Sequence, residues 1–220
     1  WASATLQKLA RAARSDYPFG SIVSALASAA GTPVCIIDTR GSPLASTPSR
    51  AEWDADEILA WSDRPGTGEL VVHPLIVENE PVAFLAARLP RDHGGVCQFA
   101  ADLVAMHLSR TNALLEGKRE LFSQVLEDFF ATRLPDAEAA RRLADAGIDA
   151  DAEHRVIVGL VDAPPARLRA FPWNLHSLVG TSRDPYVRAC IDGDIVLIVP
   201  ASAPARVVAE AAYERLCRLG

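Results

Sequence analysis

Four cysteines and five histidines are the side chains of this 220-residue chain that could carry nucleophilic, redox or metal chemistry, and their spacing favours none of the three. Cys35, Cys97, Cys190 and Cys217 lie far apart, with no Cys-x-x-Cys pair and no Cys/His ligand spacing, so neither a disulfide framework nor a zinc site is expected. Reduced thiols are the expectation. No histidine stands at a triad or metal spacing from a cysteine or carboxylate. His107 falls in a helical pattern as a helix-face residue, and His73, beside Pro74 in a strand pattern, can face either core or pocket. Neither Cys35 nor Cys97 has a neighbouring base or cation in sequence to lower its pKa. The chain therefore reads as a non-enzyme without metal or cofactor.

The composition says what kind of molecule positions these residues. Half the chain is apolar and 23% is charged, which suits a folded globular protein of one large or two small domains. A net charge of −6 gives no overall positive field for a phosphate backbone, so direct DNA binding by these residues is disfavoured. The uncharged stretch Phe19 to Ile37 approaches the roughly 18 residues of a membrane span. Gly31, Pro33 and three serines interrupt it, so it reads as helix, turn and strand, with no membrane partner. The spread of the cysteines as reduced thiols suits a cytoplasmic protein, and a start at Trp1 with Met106 as the only methionine leads us to expect a piece of a longer chain.

Along the chain, Thr5 to Arg14 and Phe19 to Ala30 show helical periodicity, the second with Ile22, Leu26 and Ala29 or Ala30 on one face before Gly31 stops it. Val34 to Asp38 and Pro43 to Ser46 read as a hairpin. Glu52 to Trp61 returns to helix with Trp53, Ile58 and Trp61 as its apolar residues, and the run from Arg64 to Gly68 breaks it. Glu69 to Val77 and Val82 to Arg88 flank Glu78-Asn79-Glu80-Pro81 as a second hairpin.

A long amphipathic helix then runs from Val96 to Arg133. Phe99, Leu103, Met106, Ala113 and Leu114 share one face, and Leu121, Val125 and Phe129 continue it. At ~1.5 Å per residue it reaches on the order of 55 Å. Gly117 is its one interruption, at a cost of about 1 kcal/mol, and a bend is expected there. Pro135 ends it, and Asp136 to Ala146 forms a short helix stopped by Gly147. Arg155 to Val161 is an apolar, β-branched run of the kind buried at a sheet centre. Ala163 to Gly180 is Pro-rich and helical in its second half. Tyr186 to Ile191 and Ile195 to Val199 flank the turn Asp192-Gly193-Asp194. Ser202 caps a last helix with Val208, Ala211, Ala212, Leu216 and Leu219 inward, and an uncovered sheet edge suggests further strands beyond. The fold class is α/β in the α+β sense, with antiparallel sheets.

The run from Glu120 to Phe130, followed by Arg141-Arg142-Leu143-Ala144-Asp145-Ala146-Gly147-Ile148 and the strand Arg155 to Val158, resembles the central region of PucR/CdaR-type bacterial transcription regulators. Ala25-Leu26-Ala27 through Pro33 to Ser46 is similar to the GAF-like sensor that precedes that region in many members. The resemblance implies a GAF-like sensor with an N-terminal helix over residues 1–117, a helical linker over 118–150, and a partial, degenerate GGDEF-like domain over 151–220. It also implies a small-molecule effector of unknown identity, a homodimer through the long helix, and DNA contact only through a C-terminal helix-turn-helix absent from these residues.

Under that resemblance the Cys190 to Pro200 hairpin stands at the cyclase loop. An active loop needs two glycines for the nucleotide and an acidic pair for metal and hydroxyl activation. Ile191 and Asp192 occupy the glycine positions, and Gly193 and Asp194 leave one carboxylate of two, so no cyclase is expected. GAF-type domains bind small molecules between sheet and covering helices, which makes Cys35, Trp53, Trp61 and His73 the candidate pocket-wall residues beside their alternative as plain core. Two rival readings stand: a GAF-type redox enzyme resembling free methionine sulfoxide reductase, with Cys35 and Cys97 as its only first-half thiols, and a ligand-free dimerisation module.

Overall fold

The computed structural model describes residues 1–49, 53–61, 70–89, 93–162, 175 and 186–217. The chain is an α+β protein with two antiparallel sheets. It divides into two compact units, with the seam inside the long helix between Thr111 and Asn112.

The first unit opens with α1 (Ala2–Ala12) and α2 (Pro18–Ala30). Pro18 has the fixed φ that suits a helix start. Gly31 ends α2 in the left-handed region at φ 68°, its N–H donating to the Ala27 carbonyl at 2.9 Å. The inward face of α2 carries Ile22, Val23, Leu26 and Ala27, and of the expected Ala29 or Ala30 it is Ala30 that packs against the same core. Strands β1 (Val34–Asp38) and β2 (Pro43–Thr47) form the first hairpin, and α3 (Ala55–Trp61) follows. Strands β3 (Leu70–Val77) and β4 (Glu80–Arg88) form the second. Their two-residue loop holds Glu78 and Asn79 at φ 50° and 67°, the positive pair a tight hairpin requires. The breaker run 64–68 lies outside the described residues.

The sheet order is β2-β1-β4-β3, all antiparallel. β4 is covered on both faces, so Val82 to Ala87 are all buried and read as a continuous apolar run. One face packs Val34, Ile36, Leu85 and Ala87 against α1, α2 and the start of α4 (Gly94–Phe130). The other presents Cys35, Ile37, Val72, Phe84 and Ala86 to α3, whose Ile58 is wholly buried.

The helix α4 is unbroken over 37 residues and continues through Gly117. Its sheet-facing side in the first unit is Val96, Cys97, Ala100, Ala101, Val104 and Leu108, in which small residues permit close approach. Of the expected stripe, Phe99 and Leu103 are half-buried against the same core, while Met106 is 60% exposed.

In the second unit, α5 (Asp136–Asp145) closes with Gly147 at φ 87°. The Ile148 N–H reaches the Leu143 carbonyl and the Gly147 N–H that of Ala144, both at 2.9 Å, so the last turn's carbonyls are satisfied. Strands β5 (His154–Gly159), β6 (Val187–Ile191) and β7 (Asp194–Pro200) take the order β5-β7-β6. The β6–β7 turn carries Asp192 and Gly193 at φ 51° and 91°, with Ile191 paired to Asp194. The expected central position of the Arg155 to Val161 run is overturned. Among the described strands β5 is an edge, with Val156 and Val158 more than half exposed, and β7 is the centre. The reason is topological: the tight turn fixes β6 beside β7, whose Ile195 to Val199 are buried on both faces.

On one side of β7, Ile195, Leu197 and Val199 pack on α6 (Ala205–Leu216). On the other, Val196 and Ile198 meet Phe122, Leu126, Leu143 and Ile148. α6 starts at Ala205 after Pro204, so Ser202 is not its cap; Val208 and Ala212 face inward. Leu219 and most of Ala163 to Gly180 lie outside the described residues.

Candidate functional site

The site is built on α3 and the sheet face beneath it. Asp54 starts the helix: its Oδ1 accepts the backbone N–H groups of Asp56 at 3.0 Å and Glu57 at 3.2 Å, satisfying donors that the first turn leaves open. Asp56 and Glu57 then place negative charge at the positive end of the helix. Gly41, in the β1–β2 turn at φ 83°, lets the chain pass under this first turn, since a Cβ there would lie 2.8 Å from that of Ala55.

Trp53 and Trp61 flank α3 at its two ends, and both pack on the cluster that contains Cys35, Ile58 and Phe84. Three of the four expected wall residues, Cys35, Trp53 and Trp61, therefore come together. Both indole Nε1 atoms are buried, and among the described residues neither finds a hydrogen-bond partner. A buried donor left unsatisfied costs about 1–3 kcal/mol, so two in one cluster are unusual for plain core. Arg88 joins them at the edge: its guanidinium carbon lies 5.7 Å from the Trp53 ring centroid and its Nη2 3.9 Å from the Glu57 carboxylate. Sequence reading missed Arg88, because its nearness to Trp53 is made by strand pairing and not by spacing.

His73 is elsewhere. It pairs across the sheet with Leu85, on the face packed against α4, and its surroundings are Gly94, Gln98 and Asp102 at the start of that helix. Its Nε2 is also buried and unpartnered. Burial pushes its pKa down, against weaker opposing effects of the Gly94 backbone, Asp102 and Gln98.

Burial pushes the Cys35 thiol up to about 12, only partly offset by a backbone hydrogen bond at Ala86, and pushes Cys97 up to about 12 as well. The two thiols belong to opposite faces of the sheet, Cys35 toward α3 and Cys97 on α4. At neutral pH both are protonated, the unreactive form. What the cluster offers is an apolar wall, two indole donors and a cation at the rim. Chemically, that set complements a group that carries hydrogen-bond acceptors. Among the described residues no three His, Cys, Asp or Glu side chains gather as metal ligands, and no helix is long and apolar enough to cross a membrane.

Neither the protein-family models nor the curated proteins give a match to this chain.

Proposed function

We propose that this chain is the effector-sensing and dimerising portion of a bacterial transcription regulator of the PucR/CdaR type. A small acceptor-bearing metabolite binds against Trp53 and Trp61, and α4 carries the response. The observation that carries the reading is the pair of buried, unpartnered indole N–H groups beside Cys35, with Arg88 at the rim. An acceptor on the ligand would satisfy donors that the protein itself leaves open, and a carboxylate would meet Arg88.

The route to α4 is short. The central strand β4 presents Phe84 and Ala86 to the α3 side and Leu85 and Ala87 to the α4 side, so a ligand that repacks one face alters the support of the other. A ligand shifts such an equilibrium only by its differential affinity for the two packings. The exposed apolar side chains of α4, Met106 at 60% exposure in the first unit and Leu114 at 62% in the second, suit pairing with the same helix of a second copy. DNA contact is left to a separate helix-turn-helix. The Asp192-Gly193 pair serves as a hairpin turn, in keeping with a degenerate loop that has lost cyclase chemistry. Free thiols at all four cysteines suit a reducing compartment, the cytoplasm. The redox-enzyme alternative is disfavoured by the burial of Cys35 and Cys97 and by their placement on opposite faces.

The test is a thermal-shift screen against small bacterial metabolites, followed by Trp53→Phe and Trp61→Phe, which keep an aromatic ring and remove the N–H. A ligand at 100 times its Kd contributes about 2.7 kcal/mol of stability. We expect at least one carboxylate or carbonyl compound to raise Tm, and each substitution to weaken it by about tenfold. A screen without shifts, or shifts indifferent to both substitutions, would defeat the proposal.

A further inference from the structure

We propose that the cleft between α4, α5 and β6 in the second unit is a binding site for a small organic anion with an apolar body, an aryl carboxylate in its simplest form. The cleft has a volume of about 530 Å³, within the range of small-molecule sites. Leu115, Phe122, Val125 and Val187 give it an apolar floor. Around them stand four cations, Lys118, Arg119, Arg142 and Arg188, against one lining carboxylate, Asp145. In a chain of net charge −6 this is a local reversal of sign.

The arginines are held in place by carboxylates that each serve two of them. Arg119 and Arg188 both bond Oε1 of Glu116, and Glu138 takes Arg142 at 2.7 Å together with Arg141 at 2.7 Å. These pairs fix the guanidiniums, and among the described lining residues the cations still outnumber the carboxylates. Arg188 is almost fully buried; burial, with the nearby Arg119, pushes its pKa down to about 10, so it stays charged at neutral pH. An incoming carboxylate would lessen that like-charge repulsion and suit the planar fork of a guanidinium, while an aromatic body covers the apolar floor. A concave cleft of this size selects a small molecule over a nucleic-acid backbone, which needs an extended basic surface.

The site shares no residue with the α3 cluster, so it stands or falls separately from the effector reading. Titration calorimetry of the whole chain with 1-naphthoate tests it, with neutral 1-naphthamide as the control. We expect saturable one-to-one binding that weakens with salt, and an amide at least tenfold weaker. Lys118→Gln with Arg142→Gln, both at accessible positions, should weaken naphthoate at least tenfold, and Ala146→Trp should block it. Trp53→Phe should leave it unchanged. Absence of saturable binding, equal affinity for the amide, or an unaltered affinity in the double variant would overturn the site; loss of binding in Trp53→Phe would place the anion elsewhere. The comparison of acid with amide uses the unmodified chain and so survives any variant that fails to fold.

Discussion

Trp53 and Trp61 carry donors that the folded chain does not satisfy, and this gives a consequence in the absence of ligand. Replacing both partners of a hydrogen bond can be nearly neutral, whereas a lone buried donor is a net cost. Trp61→Phe should therefore lose some ring contact yet regain the desolvation cost, leaving ligand-free stability within about 1 kcal/mol of wild type in urea unfolding. A loss of about 3 kcal/mol, as for a large buried side chain removed, would mark the indole as core alone. The thiols make a second prediction. Cys35 and Cys97 rise from 9.0 to about 12 in the folded state, so the unfolded chain releases their protons first as pH climbs. Their contribution to stability is then complete below about pH 9 and lost progressively toward pH 12. Cys35→Ala should flatten that decline, which denaturation midpoints between pH 8 and pH 11 would reveal.

Two glycines separate the elements that tolerate a side chain from those that do not. Gly117 has a right-handed helical backbone within α4, and a Cβ there meets nothing within 4 Å. Gly117→Ala should raise stability by about 0.5–1 kcal/mol through helix propensity. Gly41 is the opposite case, with positive φ and the Ala55 Cβ at 2.8 Å. Gly41→Ala should cost upwards of about 1 kcal/mol and loosen α3 from the sheet, visible as a changed near-ultraviolet signal from Trp53 and Trp61. Equal behaviour of the two variants would contradict the packing of α3 over the β1–β2 turn.

For the whole molecule, pairing of two copies through α4 is the prediction that matters to signalling. Light scattering at tens of micromolar should return twice the chain mass. Met106→Glu with Leu114→Glu should return the single mass without loss of helical signal, because both side chains are more than half exposed and neither packs on the described core clusters. A single mass for the unmodified chain would remove the dimer from the proposal.

The kinds of element and many of their ends are set locally along the chain. Gly31, Gly147, the Glu78-Asn79 loop and the Asp192-Gly193 loop act through φ and nearby hydrogen bonds, which a few neighbouring residues settle. The nearness of Cys35, Trp53 and Trp61 was expected only through the GAF-like resemblance, and their shared cluster comes from α3 lying over one face of the sheet. Which of the described strands sits at the centre is a matter of tertiary packing, since the apolar runs of β5 and β7 look alike until the hairpin and the two covering layers choose β7. That packing also chose which apolar face of α4 meets the sheet, sent His73 to the far side, and brought Arg88 to Trp53 and Arg188 to Glu116. Those outcomes depend on burial summed over residues distant in sequence, which no local window of the chain contains.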